Sequence, residues 1–95
     1  MQRLPNKTPT EVLRYSFDWR QKGILGDPIS SVGSEVISGD VTVIDLEHSQ
    51  DYITTWILSG GTDGLRSEIM FWVETVGGQR VEQLAFVNIE DGISN

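Results

Sequence analysis

The chain has no cysteine, and that absence removes disulfides, thiolate metal sites and cysteine nucleophiles together. It has one histidine, His48, so hydrolytic chemistry is left with a single candidate base of the usual kind. No apolar run approaches the ~20 residues of a membrane-spanning helix. The opening residues, Met-Gln-Arg-Leu-Pro, carry no apolar stretch of the secretory kind. The expectation is a protein made and used without secretion, with no cofactor, no metal and no membrane partner.

Basic charge is also scarce after residue 25. Residues 26–95 hold only Arg66 and Arg80 against twelve acids, whereas residues 1–25 hold five basic residues against two acidic ones. So acidic a body repels a phosphate backbone, which argues against nucleic acid as a partner. The acids read as a solvating surface. The basic N-terminal stretch, with Arg3 and Lys7, is the part suited to docking on an acidic neighbour, including another copy of the chain.

What is present is β-pattern. Residues 1–10 carry Pro5 and Pro9 among polar residues and read as an extended N-terminal arm; residues 11–95 read as one domain. From Val12 to Trp19 the apolar positions alternate, with Leu13, Tyr15, Phe17 and Trp19 on one side. A turn-rich stretch, RQKGILGDPISS, separates this strand from two short runs, SEVIS and VTVIDL, split by Gly39 and Asp40. DYITTWIL follows, with Tyr52, Thr54, Trp56 and Leu58 on one face. After the glycine loop LSGGTDG come EIMFWVETV, a Gly77–Gly78 pair and QRVEQLAFVNI, the strongest hairpin signal in the chain. No segment has a helical period. Short strands about ten residues apart with glycine turns predict an all-β antiparallel sandwich, a partly closed barrel being the other solution. The predicted core holds Tyr15, Phe17, Trp19, Trp56, Phe71 and Phe86.

In EIMFWVE, Ile69, Phe71 and Val73 face the core, so Met70 and Trp72 fall on the opposite face, as do Ile53 and Ile57 on the preceding strand. A sheet with one dry and one wet face should not carry them outside. Either loops or a register bulge cover them or another subunit does; together with Arg3 and Lys7 they form the candidate partner interface.

The glycine loop is a poor phosphate cradle. It lacks the Gly-Lys-Ser/Thr ending and has no helix behind it, and Asp63 would repel a phosphate. Gly60, Gly61 and Gly64 read as a corner between sheets, and Gly77 and Gly78 as a hairpin turn. His48 lies in DLEHSQD, read as a solvated polar loop, and Asp40, Asp45 and Asp51 lack the spacing of a calcium loop. No catalytic residue is assigned.

YSFDWRQ, ILGDPISSV, TTWILSGGTDG and ETVGGQRVEQLAFVNI together resemble a pattern in small structural proteins of tailed bacteriophages. The matching positions are Tyr15, Asp18, Trp19, Gly26, Asp27, Ile29, Leu58 to Thr62, Gly64, Thr75, Gly78 and Arg80. Ser67 stands where family members often have a tyrosine, and SSVGSEV replaces a segment that commonly holds a second tryptophan. The resemblance implies a single immunoglobulin-like β-sandwich of about six or seven strands. It implies a non-enzymatic virion component, assembled in the host cytoplasm, that decorates or cements the head or serves the neck or tail. Its partners would be the major capsid, neck or tail proteins and copies of itself. The alternative is a carbohydrate-binding module that attaches to a host glycan, with Trp72 paired to Tyr52 or Trp19 as the stacking platform.

Overall fold

The computed structural model describes residues 1–24 and 26–91; Leu25 and residues 92–95, the end of the expected domain, lie outside the described residues. Seven strands occur among the described residues: β1 (Gln2–Arg3), β2 (Leu13–Asp18), β3 (Ile29–Ser38), β4 (Val41–Gln50), β5 (Ile53–Gly60), β6 (Arg66–Thr75) and β7 (Arg80–Asn88). They form two sheets, β1-β7-β6-β3 and β2-β5-β4. Every pairing is antiparallel except that of β1 with β7. A 3-10 turn, Trp19–Lys22, follows β2. Asp18 caps it by accepting the Arg20 N–H.

Period-two alternation builds the interior. On β5, Thr54, Trp56 and Leu58 are buried; on β6, Ser67, Ile69, Phe71, Val73 and Thr75 are. The two strands meet across the gap between sheets where Trp56 packs on Phe71 with ring centroids 4.3 Å apart. Tyr15 stacks on Trp56 at 6.3 Å and Phe17 meets Trp19 edge-on at 5.0 Å, geometries that suit aromatic quadrupoles. The Trp19 indole N–H donates to Thr54 Oγ1 at 3.0 Å, so that buried polar pair is satisfied.

Four expectations change. Phe86 is not in the core: β7 turns Ala85, Val87 and Ile89 inward and leaves Phe86 half-buried on the outer face. The cause is register, because buried Ile69 pairs with Ala85. His48 is in strand rather than loop, paired with Thr54 in the β4–β5 hairpin. β3 begins at Ile29, inside the stretch read as turns. The N-terminal segment is extended but lies on its own domain: β1 borders β7, Leu4 is buried, and Tyr15 donates its hydroxyl to the Pro5 carbonyl at 3.0 Å.

The chain changes sheet at β1–β2, β2–β3, β3–β4 and β5–β6. Gly60, Gly61 and Gly64 of the last crossing, and Gly78 of the hairpin, have positive φ, whereas Gly77 does not. Gly39, at the β3–β4 crossing, combines a φ of 83° with crowding: a Cβ there would lie 2.6 Å from the Ser67 Cα. Ser67 stands close because its Oγ accepts the Asp40 N–H at 3.2 Å. Gly64, with a φ of 84°, has nothing within 4 Å of such a Cβ. Gly64→Ala should therefore cost only the left-handed strain, about 1 kcal/mol. Gly39→Ala should cost at least about twice that by adding a backbone collision; urea unfolding of the two variants checks the difference.

Candidate functional site

The outer face of the four-stranded sheet carries the most unusual surface. Met70 and Trp72 project from β6, and Leu84 and Phe86 from the adjacent β7, with Met70 opposite Leu84 in register. All four are half-buried. Trp72 lies across Gly33 of β3, where any side chain would overlap the indole. On the ring sits the Arg80 guanidinium, 4.8 Å from the centroid, and Arg66 sits 3.8 Å from the centroid of Phe86. Such cation–π contacts hold both rings and both charges at the surface. Arg80 also bridges Glu82 at 3.3 Å and Glu74 at 3.9 Å. Arg3, exposed, is in register with Phe86. The result is an apolar centre rimmed by three arginines and by Glu68, Glu74 and Glu82.

The six residues assigned to a partner interface from sequence do not share one surface. Met70, Trp72 and Arg3 belong to this face. Ile53 and Ile57 lie on the outer face of the three-stranded sheet, on the opposite side of the molecule, where Ile57 is in register with Arg14 and Ile44. Lys7 is 1% exposed, so it meets no partner there. Its ammonium donates to the carbonyls of Gly60 at 2.5 Å and Thr8 at 2.8 Å. Burial pushes its pKa below the ordinary lysine value against an opposing pull from Glu11. Leu84, Phe86 and Arg66 are members the sequence reading missed.

The hairpin that presents Arg80 is held by Asp27. Its carboxylate accepts from Thr75 Oγ1 at 2.6 Å, from the Gly77 N–H at 2.7 Å and from the Gln79 amide at 2.7 Å. These bonds, led by that from Thr75, draw its pKa below the usual aspartate value. They join the β2–β3 crossing to the tip of the β6–β7 hairpin.

Among the described residues no group of three or more His, Asp or Glu side chains is placed to hold a metal ion. His48 is exposed on β4. Of the aromatics weighed for sugar stacking, Trp19 is buried, and the half-buried Tyr52 accepts the Gly26 N–H at 2.7 Å. The aromatic that shares a face with Trp72 is Phe86.

A family model described as podophage GP4 fiber-tail adaptor protein gp77 matches residues 7–88. No curated protein matches. Among solved structures, an endo-fucoidan hydrolase of glycoside hydrolase family 107 is similar, with a TM-score of 0.56 and 13% identity. The likeness spans 94% of this chain but 12% of the hydrolase, so it concerns the fold alone.

Asp27 generates a pH prediction. A carboxylate with a lowered folded-state pKa contributes stability that is present above its ordinary pKa of about 3.9 and is lost as pH falls through the lowered value. Asp27→Asn should melt below the unaltered protein near neutral pH, and the gap should close as the pH falls below about 4. Calorimetry across that range checks both.

Proposed function

The chain belongs to the podophage GP4 fiber-tail adaptor family, a family of virion structural proteins, and from that premise we propose that it is a non-enzymatic connector at the junction of tail and fibre. It is an immunoglobulin-like sandwich that docks on a neighbouring virion protein through the outer face of its four-stranded sheet. The observation that carries this reading is the cluster of Met70, Trp72, Leu84 and Phe86 beneath Arg66 and Arg80. Interface centres are enriched in tryptophan, phenylalanine, methionine and arginine, and tryptophan and arginine are the usual anchors. Here the anchors are held in place before binding, because Gly33 and Arg80 fix the indole, and side chains already ordered lose less entropy on docking.

The family description favours tail over head, so decoration or cementing of the shell ranks below it. The glycan reading ranks lower still: both aromatic rings on this face lie under guanidinium groups, which occupy the surface a sugar would stack on.

Two outcomes are expected from quantitative mass spectrometry of purified particles. The protein should be present at the low copy number of a tail ring, on the order of ten per particle, not the hundreds of a shell component. In particles grown with the Met70→Ala, Trp72→Ala double variant, its occupancy should fall about tenfold or more, while the isolated variant still unfolds cooperatively. Unchanged occupancy of the variant would remove this face from the contact.

A further inference from the structure

The free edge of β7 is built to receive a strand. β1 borders β7 only from Ala85 onward, so the side of Arg80–Leu84 that faces away from β6 has no neighbouring strand among the described residues. The Phe86 and Asn88 carbonyls accept from Leu4 N–H at 2.9 Å and Lys7 N–H at 3.2 Å. By the two-residue period of a strand, Glu82 and Leu84 direct their backbone groups to that same side. The Leu84 carbonyl accepts the Gln83 side-chain amide at 2.9 Å, and the parallel register of β1 turns the Gln2 N–H toward it as well; the Leu84 N–H and both backbone groups of Glu82 lie on the stretch that β1 does not border.

Beside this uncovered edge the gap between the sheets opens on a narrow crevice. The rings of Phe17, Trp19, Trp56 and Phe71 line it, with Leu4 entering from the β1 segment; Gln2 and Gln83 are its polar members. Trp56 is 1% exposed, and its indole N–H is a buried donor with no partner among the described residues. A buried unpaired donor costs free energy that a docking acceptor recovers.

Of the other edge strands, β2 pairs with β5 over Leu13–Asp18 without a shift, whereas the two longer ones, β3 and β4, are irregular. β3 and β4 each pair with register shifts, and Asp45 on β4 has a φ of 52°. Shifts of this kind are how proteins stop edges from pairing. β7 pairs with β6 from Arg80 to Asn88 without one.

We infer that an extended segment of another virion protein adds to the sheet along Arg80–Leu84, in line with β1, by main-chain hydrogen bonds to both backbone groups of Glu82 and to the Leu84 N–H. The segment carries an apolar side chain at its inward position, which displaces the Gln2 and Gln83 amides over the aromatic crevice, and an oxygen acceptor for the Trp56 N–H. β1 supplies the template for this occupant: it lies on the same edge, and Leu4, two residues after the inward-lying Gln2, is buried among the same rings. Strand addition of this kind draws affinity from the backbone and specificity from alternate side chains. The inference concerns the backbone edge beside the Met70–Trp72 face, with which it shares the side chains of Glu82 and Leu84, and it rests on the virion assignment for its partner.

The test compares amide exchange in the free protein and in purified particles, together with two proline variants. The Glu82 and Leu84 amides should exchange fast in the free protein and about tenfold or more slowly in particles. Glu82→Pro removes an N–H that the β6–β7 ladder does not use; it should stay folded and lose about tenfold or more of its particle occupancy, whereas Glu82→Ala, which removes the same carboxylate from the Met70–Trp72 rim but keeps the N–H, should lose much less. Ser34→Pro places the same change on the outward side of the β3 edge and should leave occupancy unchanged. Equal exchange of the two amides in both states overturns the inference, as does unchanged occupancy of the Glu82→Pro variant, or a loss in Glu82→Ala or Ser34→Pro as large as in Glu82→Pro. Absence of the unaltered protein from particles would instead overturn the virion assignment.

Discussion

The contact between Trp56 and Phe71 is the constraint on which the rest depends. Each ring comes from an inner strand of its sheet, and their centroids lie 4.3 Å apart. A 95-residue chain can build only one modest core, so the two sheets must meet where the largest side chains are. Once β5 and β6 face each other there, the alternation of each strand fixes every other side chain. Tyr15 and Trp19 join the cluster from β2 and the turn after it, and Met70 and Trp72 are forced outward by the pleat that buries Ile69, Phe71 and Val73. The apolar outer face is thus a consequence of the same strand that builds the core. Its retention on an otherwise acidic surface is what requires a functional account.

The N-terminal segment has a similar dependence on distant partners. Its basic character suggested attraction to a neighbour, yet Lys7 directs its ammonium to the carbonyl of Gly60, at the end of β5, and its backbone pairs with Asn88 and Glu90. A lysine held away from water needs such acceptors, because burial of an uncompensated ammonium costs far more than a neutral hydrogen bond returns. The Gly60 carbonyl, at the glycine end of β5, and that of neighbouring Thr8 supply them. Lys7 therefore joins the first residues of the chain to the glycine corner, so that the arm and the sheet crossing stabilise one another. Arg3, by contrast, remains exposed next to the Phe86 position and contributes charge to the outer face.

Much of the fold was legible because alternation is local. Thr54, Trp56 and Leu58, and Ile69, Phe71 and Val73, state their faces without reference to the rest of the chain. Phe86 was not legible from its own strand, since both parities of VEQLAFVNI contain apolar residues. The information lay in the hairpin: with Glu74 opposite Arg80, Ile69 must face Ala85 and Phe86 must point out. The burial of Leu4 and Lys7 had no local signal, because their partners stand more than fifty residues away along the chain. The assignment of Met70 and Trp72 to one side of the molecule and Ile53 and Ile57 to the other also lies beyond local reading. It depends on which strands share a sheet, and β5 and β6 are consecutive yet belong to different ones. Asp27 and Thr75 stood out only as parts of two motifs; their hydrogen bond is the physical link between those motifs.

The connector role proposed above needs surfaces that are independent of one another, and a two-sheet molecule supplies them by construction. Its outer faces point in opposite directions, and its edges lie at right angles to both. What distinguishes the surfaces here is how each is finished. The three-stranded sheet mixes Ile53 and Ile57 with Arg14 and Asp18, in register with them, which gives a surface compatible with water. The four-stranded sheet gathers its apolar residues at the centre and covers two of them with guanidinium groups, of which that of Arg80 also pairs with Glu74 and Glu82. Those arginines serve both states of the protein: in solution they keep Trp72 and Phe86 from presenting a bare patch, and at an interface they remain available for carboxylates of a partner. The edges differ in finish as well: β3 and β4 are irregular in register, a feature that hinders edge pairing, whereas β7 is regular along the stretch to which the strand addition proposed above is assigned.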